Sequence, residues 1–314
     1  MKHFYLFAFI ITAMAAHGQQ PPLTTFTIAE KDLIPEGITY DPAEKVFYVS
    51  SIHKRKIVRV KENGETSDFV ASGQDSILQV LGMTVDSRGR LWACNNSPEH
   101  DTLNRIANIH LYDLKSKKLV RKYTVRDGKR HLFNDVYINA KDEAFITDSE
   151  TGALYHIGAD QKLEEFIKPG TFRYPNGITA SADERKLFVS SAGMGIVSID
   201  TETKGIAPLR HDKYFIVATD GLYRYKNSLV GVQNVIYPEA IVKFAINEDA
   251  TKIDDIDFLI SDQPVFDIPT TGVVVGDDFY FIANSQLLQI IGNKGRIKNP
   301  EKLTPTTIMK IKLN

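Results

Sequence analysis

The sequence predicts an all-β chain, a six-bladed β-propeller of four-stranded antiparallel blades, and three observations carry that prediction. Six segments repeat one pattern: "PEGITYDPAEKVFYVSS" (35–51), "LGMTVDSRGRLWACNN" (81–96), "FNDVYINAKDEAFITD" (133–148), "PNGITASADERKLFVSS" (175–191), "TDGLYRYKNSLVGVQN" (219–234) and "TTGVVVGDDFYFIAN" (270–284). Each has a small or turn-forming residue, a short strand, a polar turn and a second strand heavy in Phe, Tyr, Val and Ile. The turn positions Gly37, Gly82, Asp135, Gly177, Gly221 and Gly272 recur about 42 to 53 residues apart, the length of one blade. No long stretch sustains helical periodicity or linker composition, so 19–314 is expected to be one domain.

Taken in chain order, residues 1–18 read as a secretory signal peptide. Lys2 precedes an apolar run from Phe4 to Ala16, and the small residues Ala16 and Gly18 suit cleavage after Gly18. The run falls short of the ~20 residues that span a bilayer. The protein is therefore expected to be exported, periplasmic or secreted, with no membrane contact after cleavage. "TTFTIAEKDL" is then a strand without a blade of its own, and the chain ends on another, "TTIMKIKLN". Pairing the first strand into the last blade would close the ring and hide an open sheet edge. Behind most repeats a second hairpin follows, as in "KIVRVKENGETSDFVA" and "GALYHIGADQKLEEFI".

The 314 residues are 43% hydrophobic with a net charge of -1. Lys and Arg (38) nearly balance Asp and Glu (39), and the basic clusters are short, so nucleic acid is not an expected partner. The single cysteine, Cys94, lies in a strand pattern and reads as a small buried hydrophobe. No G-x-S-x-G elbow, H-E-x-x-H helix or Walker loop occurs, and "GMGIVS" (193–198) falls short of a dinucleotide fingerprint.

In a propeller the first strand of each blade lines the central channel, so the residues before the six turn positions form a ring. They are Glu36, Leu81, Asn134, Asn176, Asp220 and Thr271. Two carboxylates and two amide carbonyls, with the Thr271 hydroxyl at the margin, make an oxygen set that suits a hard divalent cation. Zinc would favour His or Cys, which this ring lacks. Glu36, Asn134, Asn176 and Asp220 are thus the expected ligands of Ca²⁺, with Mn²⁺ and Mg²⁺ as alternatives. Each alone would read as a turn residue satisfying its own backbone; the set of four favours the metal. Loops after the second strands share the ring face, and the one beginning at "NNSPEHDTLNRIAN" reads as the longest, a lid or specificity loop. His53, His100 and Asp148 then fall near the pocket, with His131 just before Asn134.

These segments resemble the senescence marker protein and gluconolactonase family and, more distantly, the paraoxonases. The motifs that carry the resemblance are "PEGI", "LFND", "YPNG" and "ATDG", and it spans the chain from about Ile34 to Ile282. The resemblance implies a six-bladed propeller with a divalent ion in the channel, hydrolysing lactones or similar esters. It implies metal ligands at Glu36, Asn176 and Asp220, with Asn134 facing ion or substrate. Two positions depart from the pattern: Leu132 replaces an arginine that binds sugar hydroxyls, and Asn96 stands near a paraoxonase-like histidine.

The expected function is an exported, divalent-metal-dependent hydrolase of lactones or related esters, acting on a small molecule as a monomer. Asp220 is the candidate for taking the water's proton, with His53 or His131 in reserve. Asn134, Asn96 and Asp148 are the candidates for contacting substrate. The alternative is a non-catalytic binding propeller with a structural calcium ion.

Overall fold

The computed structural model describes residues 23–101 and 105–314. The expected signal peptide lies outside the described residues. Strand β1 (Leu23–Ile28) precedes the first blade, which is β2 (Ile38–Asp41), β3 (Val46–Ser51), β4 (Lys56–Lys61) and β5 (Thr66–Val70). The second blade is β6 (Gln79–Val85), β7 (Arg90–Asn96), β8 (Ala107–Asp113) and β9 (Lys118–Val125). The third is β10 (Phe133–Ile138), β11 (Ala144–Asp148), β12 (Ala153–Ile157) and β13 (Leu163–Ile167). The fourth is β14 (Pro175–Ala180), β15 (Lys186–Ser191), β16 (Gly195–Asp200) and β17 (Ile206–Pro208). The fifth is β18 (Thr219–Tyr225), β19 (Ser228–Gln233), β20 (Ala240–Ile246) and β21 (Ile253–Ser261). The last is β22 (Gly272–Val275), β23 (Asp278–Ile282) and β24 (Thr306–Lys312), completed by β1, which pairs antiparallel with β24. The ring is therefore closed by the first strand, as expected from the sequence.

Burial follows from stacking each blade between two others. The second strands are covered on both faces, so β3 (VFYVSS) and β11 (AFITD) are buried at every position, opening on apolar runs and ending in buried polar residues at the ring face. Outer strands such as β9 meet water and are mostly polar. Between the second and third blades Trp92, Ile109, Phe133, Ile146 and Tyr155 form one wedge of core.

The repeated glycines have a different cause from the turn chemistry that the sequence suggests. None of Gly37, Gly82, Gly177, Gly221 and Gly272 has a positive φ. They mark close approach: a Cβ on Gly177 would stand 2.4 Å from the Leu222 nitrogen and 2.5 Å from the Asp220 carbonyl oxygen. The inner strands of neighbouring blades leave no room for a side chain there.

The longest connection among the described residues is 283–305, between β23 and β24, not the loop after Asn96. Its Leu287–Gln289 and Pro300–Lys302 segments are short 3₁₀ turns. No helix among the described residues is long and apolar enough to cross a membrane.

Candidate active site at the channel mouth

Four of the six ring side chains, those of Leu81, Asn134, Asn176 and Asp220, are aimed by a local break in the strand. The ladders of β6, β10, β14 and β18 with their partners shift register between Val80 and Met83, Phe133 and Val136, Pro175 and Ile178, and Thr219 and Leu222. The two residues skipped in each case are the ring residue and the one after it, so a bulge turns the ring side chain out of the ladder. Ile34, Tyr174 and Ala218, each two residues before Glu36, Asn176 and Asp220, sit at φ 46°, 49° and 54°. Such left-handed backbone is strained for a β-branched residue like Ile34, and here it steers the chain into the ring.

Hydroxyls from adjacent blades then consume the backbone carbonyls of the ring. Thr271 donates to the Glu36 carbonyl at 2.6 Å, Thr147 to that of Asn176 at 2.7 Å, and Ser190 to that of Asp220 at 3.1 Å. The side-chain oxygens are left for the axis. Glu36 Oε2, Asn134 Oδ1 and Asn176 Oδ1 are all buried without a hydrogen-bond partner. Buried polar atoms are rarely left so, and three at one ring point to a ligand that accepts lone pairs.

The orientation of Asn134 follows from its neighbours. Its Nδ2 donates to Ser149 Oγ at 2.9 Å, and Ser149 gives its only proton to the Pro175 carbonyl at 2.5 Å. Ser149 can therefore only accept from Asn134, which turns Oδ1 inward. Asp220 is held by Asn234, whose Nδ2 donates to Oδ2 at 2.5 Å and to the Pro269 carbonyl at 2.7 Å.

A third carboxylate, Asp135, was legible only as a turn position. It stands where the other five blades have glycine, and it accepts from the amides of Val136 (2.9 Å) and Ile178 (3.3 Å). It lines a narrow channel volume of about 120 Å³ below the ring, together with Tyr223 and Thr271. Burial, then the charges of Asp220 and Asp135, hold Glu36 well above the ordinary carboxylate range. Burial pushes Asp220 to about 7 against the hydrogen bonds of Asn234 and Asn176, and it pushes Asp135 to about 7 against its two amide donors. Three crowded acids hold protons unless a cation compensates them. Among the described residues no group of three or more His, Cys, Asp or Glu is placed to hold a metal ion. A cation here would draw on the mixed set of Glu36, Asp220, Asn134 and Asn176, which fits a hard ion that takes oxygen ligands.

The remaining candidates are placed as follows. Asn96 accepts from the Phe133 amide and donates to the Phe133 carbonyl, both at 2.8 Å, so it clamps the strand that carries Asn134. His131 is buried between two carboxylates, with Nδ1 2.6 Å from Asp148 Oδ2 and Nε2 2.9 Å from Asp127 Oδ1. Burial lowers its pKa, and the bonds to Asp148 and Asp127 outweigh that and raise it. With both ring nitrogens donating, His131 has no lone pair for a water proton. Asp148, fully buried, also accepts from the Leu132 amide and the Thr151 hydroxyl. His53 Nδ1 lies 3.1 Å from the Gly295 carbonyl and so donates to it; His53 itself is not among the residues that line the pocket over the ring.

Above the ring lies a pocket of about 610 Å³. Leu81, the one hydrocarbon in the ring, forms part of its floor, and Tyr174, which feels the charges of Asp220 and Glu36, forms part of its wall. Ile290, Ile291 and Leu287 come from the 283–305 loop, a stretch outside the repeat pattern and hence unread in the sequence.

The fold and ring define a closed six-bladed propeller with an acid and amide oxygen cluster at one end of its channel. The family model described as the SMP-30/Gluconolactonase/LRE-like region matches residues 34–221, a span that begins just before Glu36 and ends just after Asp220. The chain belongs to that family, the one its motifs resemble. Among solved structures it is similar to a gluconolactonase from Xanthomonas campestris (15% identity, 90% of this chain and 88% of that one, TM-score 0.61). It is similar to a luciferin-regenerating enzyme (16%, 93% and 95%, TM-score 0.61) and to virginiamycin B lyase from Staphylococcus aureus (18%, 81% and 79%, TM-score 0.58). Likeness at these identities shows the fold. No curated protein sequence matches the chain.

Proposed function

We propose that the chain is an exported hydrolase of lactones or related esters, monomeric, and dependent on a divalent cation held by Glu36, Asn134, Asn176 and Asp220. Ca²⁺ is the first candidate, with Mn²⁺ and Mg²⁺ as alternatives. The observation that carries the proposal is the three partnerless buried oxygens of Glu36, Asn134 and Asn176 in one ring with the Asp220 carboxylate, whose charge helps to raise Glu36. Family membership supports the reaction class. Export rests on the charge and apolar pattern of residues 1–18.

When bound, the ion would polarise the scissile carbonyl and stabilise the oxyanion that forms on it. Asp220, oriented by Asn234, takes a proton from the attacking water at its carboxylate. His53, its Nδ1 tied to the carbonyl of the pocket-lining Gly295, is the alternative base through Nε2. Asn134 presents Oδ1 because Ser149 holds its amide, and Asn96 keeps that strand in place. Leu81 and the apolar pocket wall exclude bulk water, which strengthens charge interactions at the ring.

One observation favours the alternative, a binding propeller with a purely structural ion: the buried histidine nearest the ring, His131, is fully engaged. A panel of lactones and aryl esters, with and without chelator, decides between the two. Chelation and Asp220→Ala are each expected to cut turnover at least a hundredfold. Full turnover in both Asp220→Ala and Asn176→Ala would sink the ion-centred mechanism. Calcium-dependent thermal stability without turnover of any ester would establish the binding role instead.

A further inference from the structure

The pocket over the ring is polarised along its depth. Its buried floor and inner wall are hydrocarbon: Ile52, Leu81 and Ile290 are nearly inaccessible, and Leu132 and Leu287 pack half-buried against the same core cluster. Most of its polar lining lies nearer the rim, where Glu99, His100 and Lys294 face water and Gln79 and Ser97 are half-buried; the buried His131 has both ring nitrogens engaged by Asp148 and Asp127. Arg130 at the rim is only loosely paired, 3.5 Å from Glu150 and 3.8 Å from Glu99.

A second feature fixes the direction from which a ligand meets the ring. Five of the six ring positions carry side-chain oxygen, and Leu81 alone carries none. The oxygens therefore surround the axis except at Leu81, and the pocket is lined on that side, between the second blade and the 283–305 loop. A polyhydroxylated ring seated there would bury hydroxyls against Ile52, Leu132 and Ile290 without partners, which is costly. A hydrocarbon chain would lose nothing and gain the whole wall.

We infer that this site takes lactones or esters bearing an aliphatic tail, with the carbonyl at the oxygen cluster and the tail lying over Leu81 against Leu132, Leu287 and Ile290. The carbonyl end of this assignment rests on the hydrolase reading above; the tail end rests on the pocket alone. The substrate class thereby departs from sugar lactones, and the 283–305 loop becomes the element that selects it.

The test separates the two ends. Calorimetry measures binding of γ-lactams, which have the lactone's shape and resist hydrolysis, with tails from none to about eight carbons. Affinity is expected to rise about fourfold per methylene until the tail outgrows the pocket. Leu287→Asn and, independently, Leu132→Asn should each flatten that rise while the unbranched tailless lactam binds as before; melting curves identify a variant that has lost its fold. The matched γ-lactones and glucono-δ-lactone are then assayed for hydrolysis. Affinity that does not depend on tail length overturns the inference. Hydrolysis of tailless or sugar lactones with no gain from a tail also overturns it, while leaving the hydrolase reading intact. Tail-dependent binding without turnover of any lactone keeps the tail site and sinks the hydrolase reading.

Discussion

Ser149 decides which way the Asn134 amide points. Its hydroxyl accepts from Asn134 Nδ2 at 2.9 Å because its own proton is committed to the Pro175 carbonyl. Removing that hydroxyl in Ser149→Ala lets the amide rotate and present nitrogen to the cation. Partners behind a ligand typically contribute tenfold to a hundredfold in metal affinity. Calcium titration by calorimetry should show at least a tenfold weakening in Ser149→Ala with little change in metal-free melting. Unchanged affinity would mean that Asn134 is not a ligand.

Gly177 is required by its neighbour rather than by its own backbone. A methyl group there would meet the Leu222 nitrogen at 2.4 Å and the Asp220 carbonyl oxygen at 2.5 Å, both main-chain atoms that cannot step aside. Gly177→Ala should therefore cost about 3 kcal/mol, at the upper end for overpacking, and should weaken cation binding by displacing Asp220. Thermal denaturation checks the first part and calcium titration the second. A variant as stable as the parent would remove the close-approach explanation of the repeat.

The repeat was legible in the sequence because every blade must solve the same problem at the axis, and the alignment of "PEGI", "FND", "PNG" and "TDG" brings Glu36, Asn134, Asn176 and Asp220 to one ring. What aims them was not legible. The left-handed residues Ile34, Tyr174 and Ala218 share no chemistry, and a bulge is a property of two paired strands rather than of either. Asn96 and Asn234 sit at equivalent ends of β7 and β19 and both donate to a carbonyl leading into the next blade, of Phe133 and Pro269, yet only Asn234 also holds its own blade's ring residue, because that residue is Asp220 and not Leu81. The pocket wall from Leu287 to Gly295 lies outside the repeat, so self-comparison passes over it. Asp135 was hidden by its position among glycines; the signal was that it alone among the six carries a charge.

His131 and Asp148 form a buried pair that braces the strand entering Asn134. Burial would raise Asp148, and the bonds from His131, the Leu132 amide and Thr151 more than offset it, so its pKa is lowered. Its contribution is present above the unfolded carboxylate value and is lost as pH falls through its folded value. His131 is raised above 6.5, so its contribution is complete below that pH and is lost as pH climbs through the folded value. Breaking a buried pair leaves one charge stranded, and His131→Ala should cost about 3 kcal/mol near pH 5–6. The deficit should shrink toward pH 9, where the parent has lost the imidazolium too. Denaturant melts of both proteins across that range provide the check, and a deficit independent of pH would reduce His131 to a packing residue.

Stability should fall with pH in the metal-free protein and not in the cation-bound one. In the metal-free protein Glu36 is raised well above its ordinary value, and Asp220 and Asp135 are raised to about 7, all chiefly by burial. For a group whose folded pKa is raised, the stabilisation is complete below the unfolded value and is lost as pH rises through the folded one. Between about pH 4 and pH 7 the unfolded chain gives up these protons while the folded ring still holds them, so the chelated protein should melt several degrees lower at pH 8 than at pH 5. A bound divalent cation needs the same carboxylates ionised, so saturating calcium should remove that fall, and its stabilising effect should grow with pH. Melting curves in chelator and in excess calcium at a series of pH values measure both trends. Parallel profiles in the two conditions would show that no cation sits between Glu36 and Asp220.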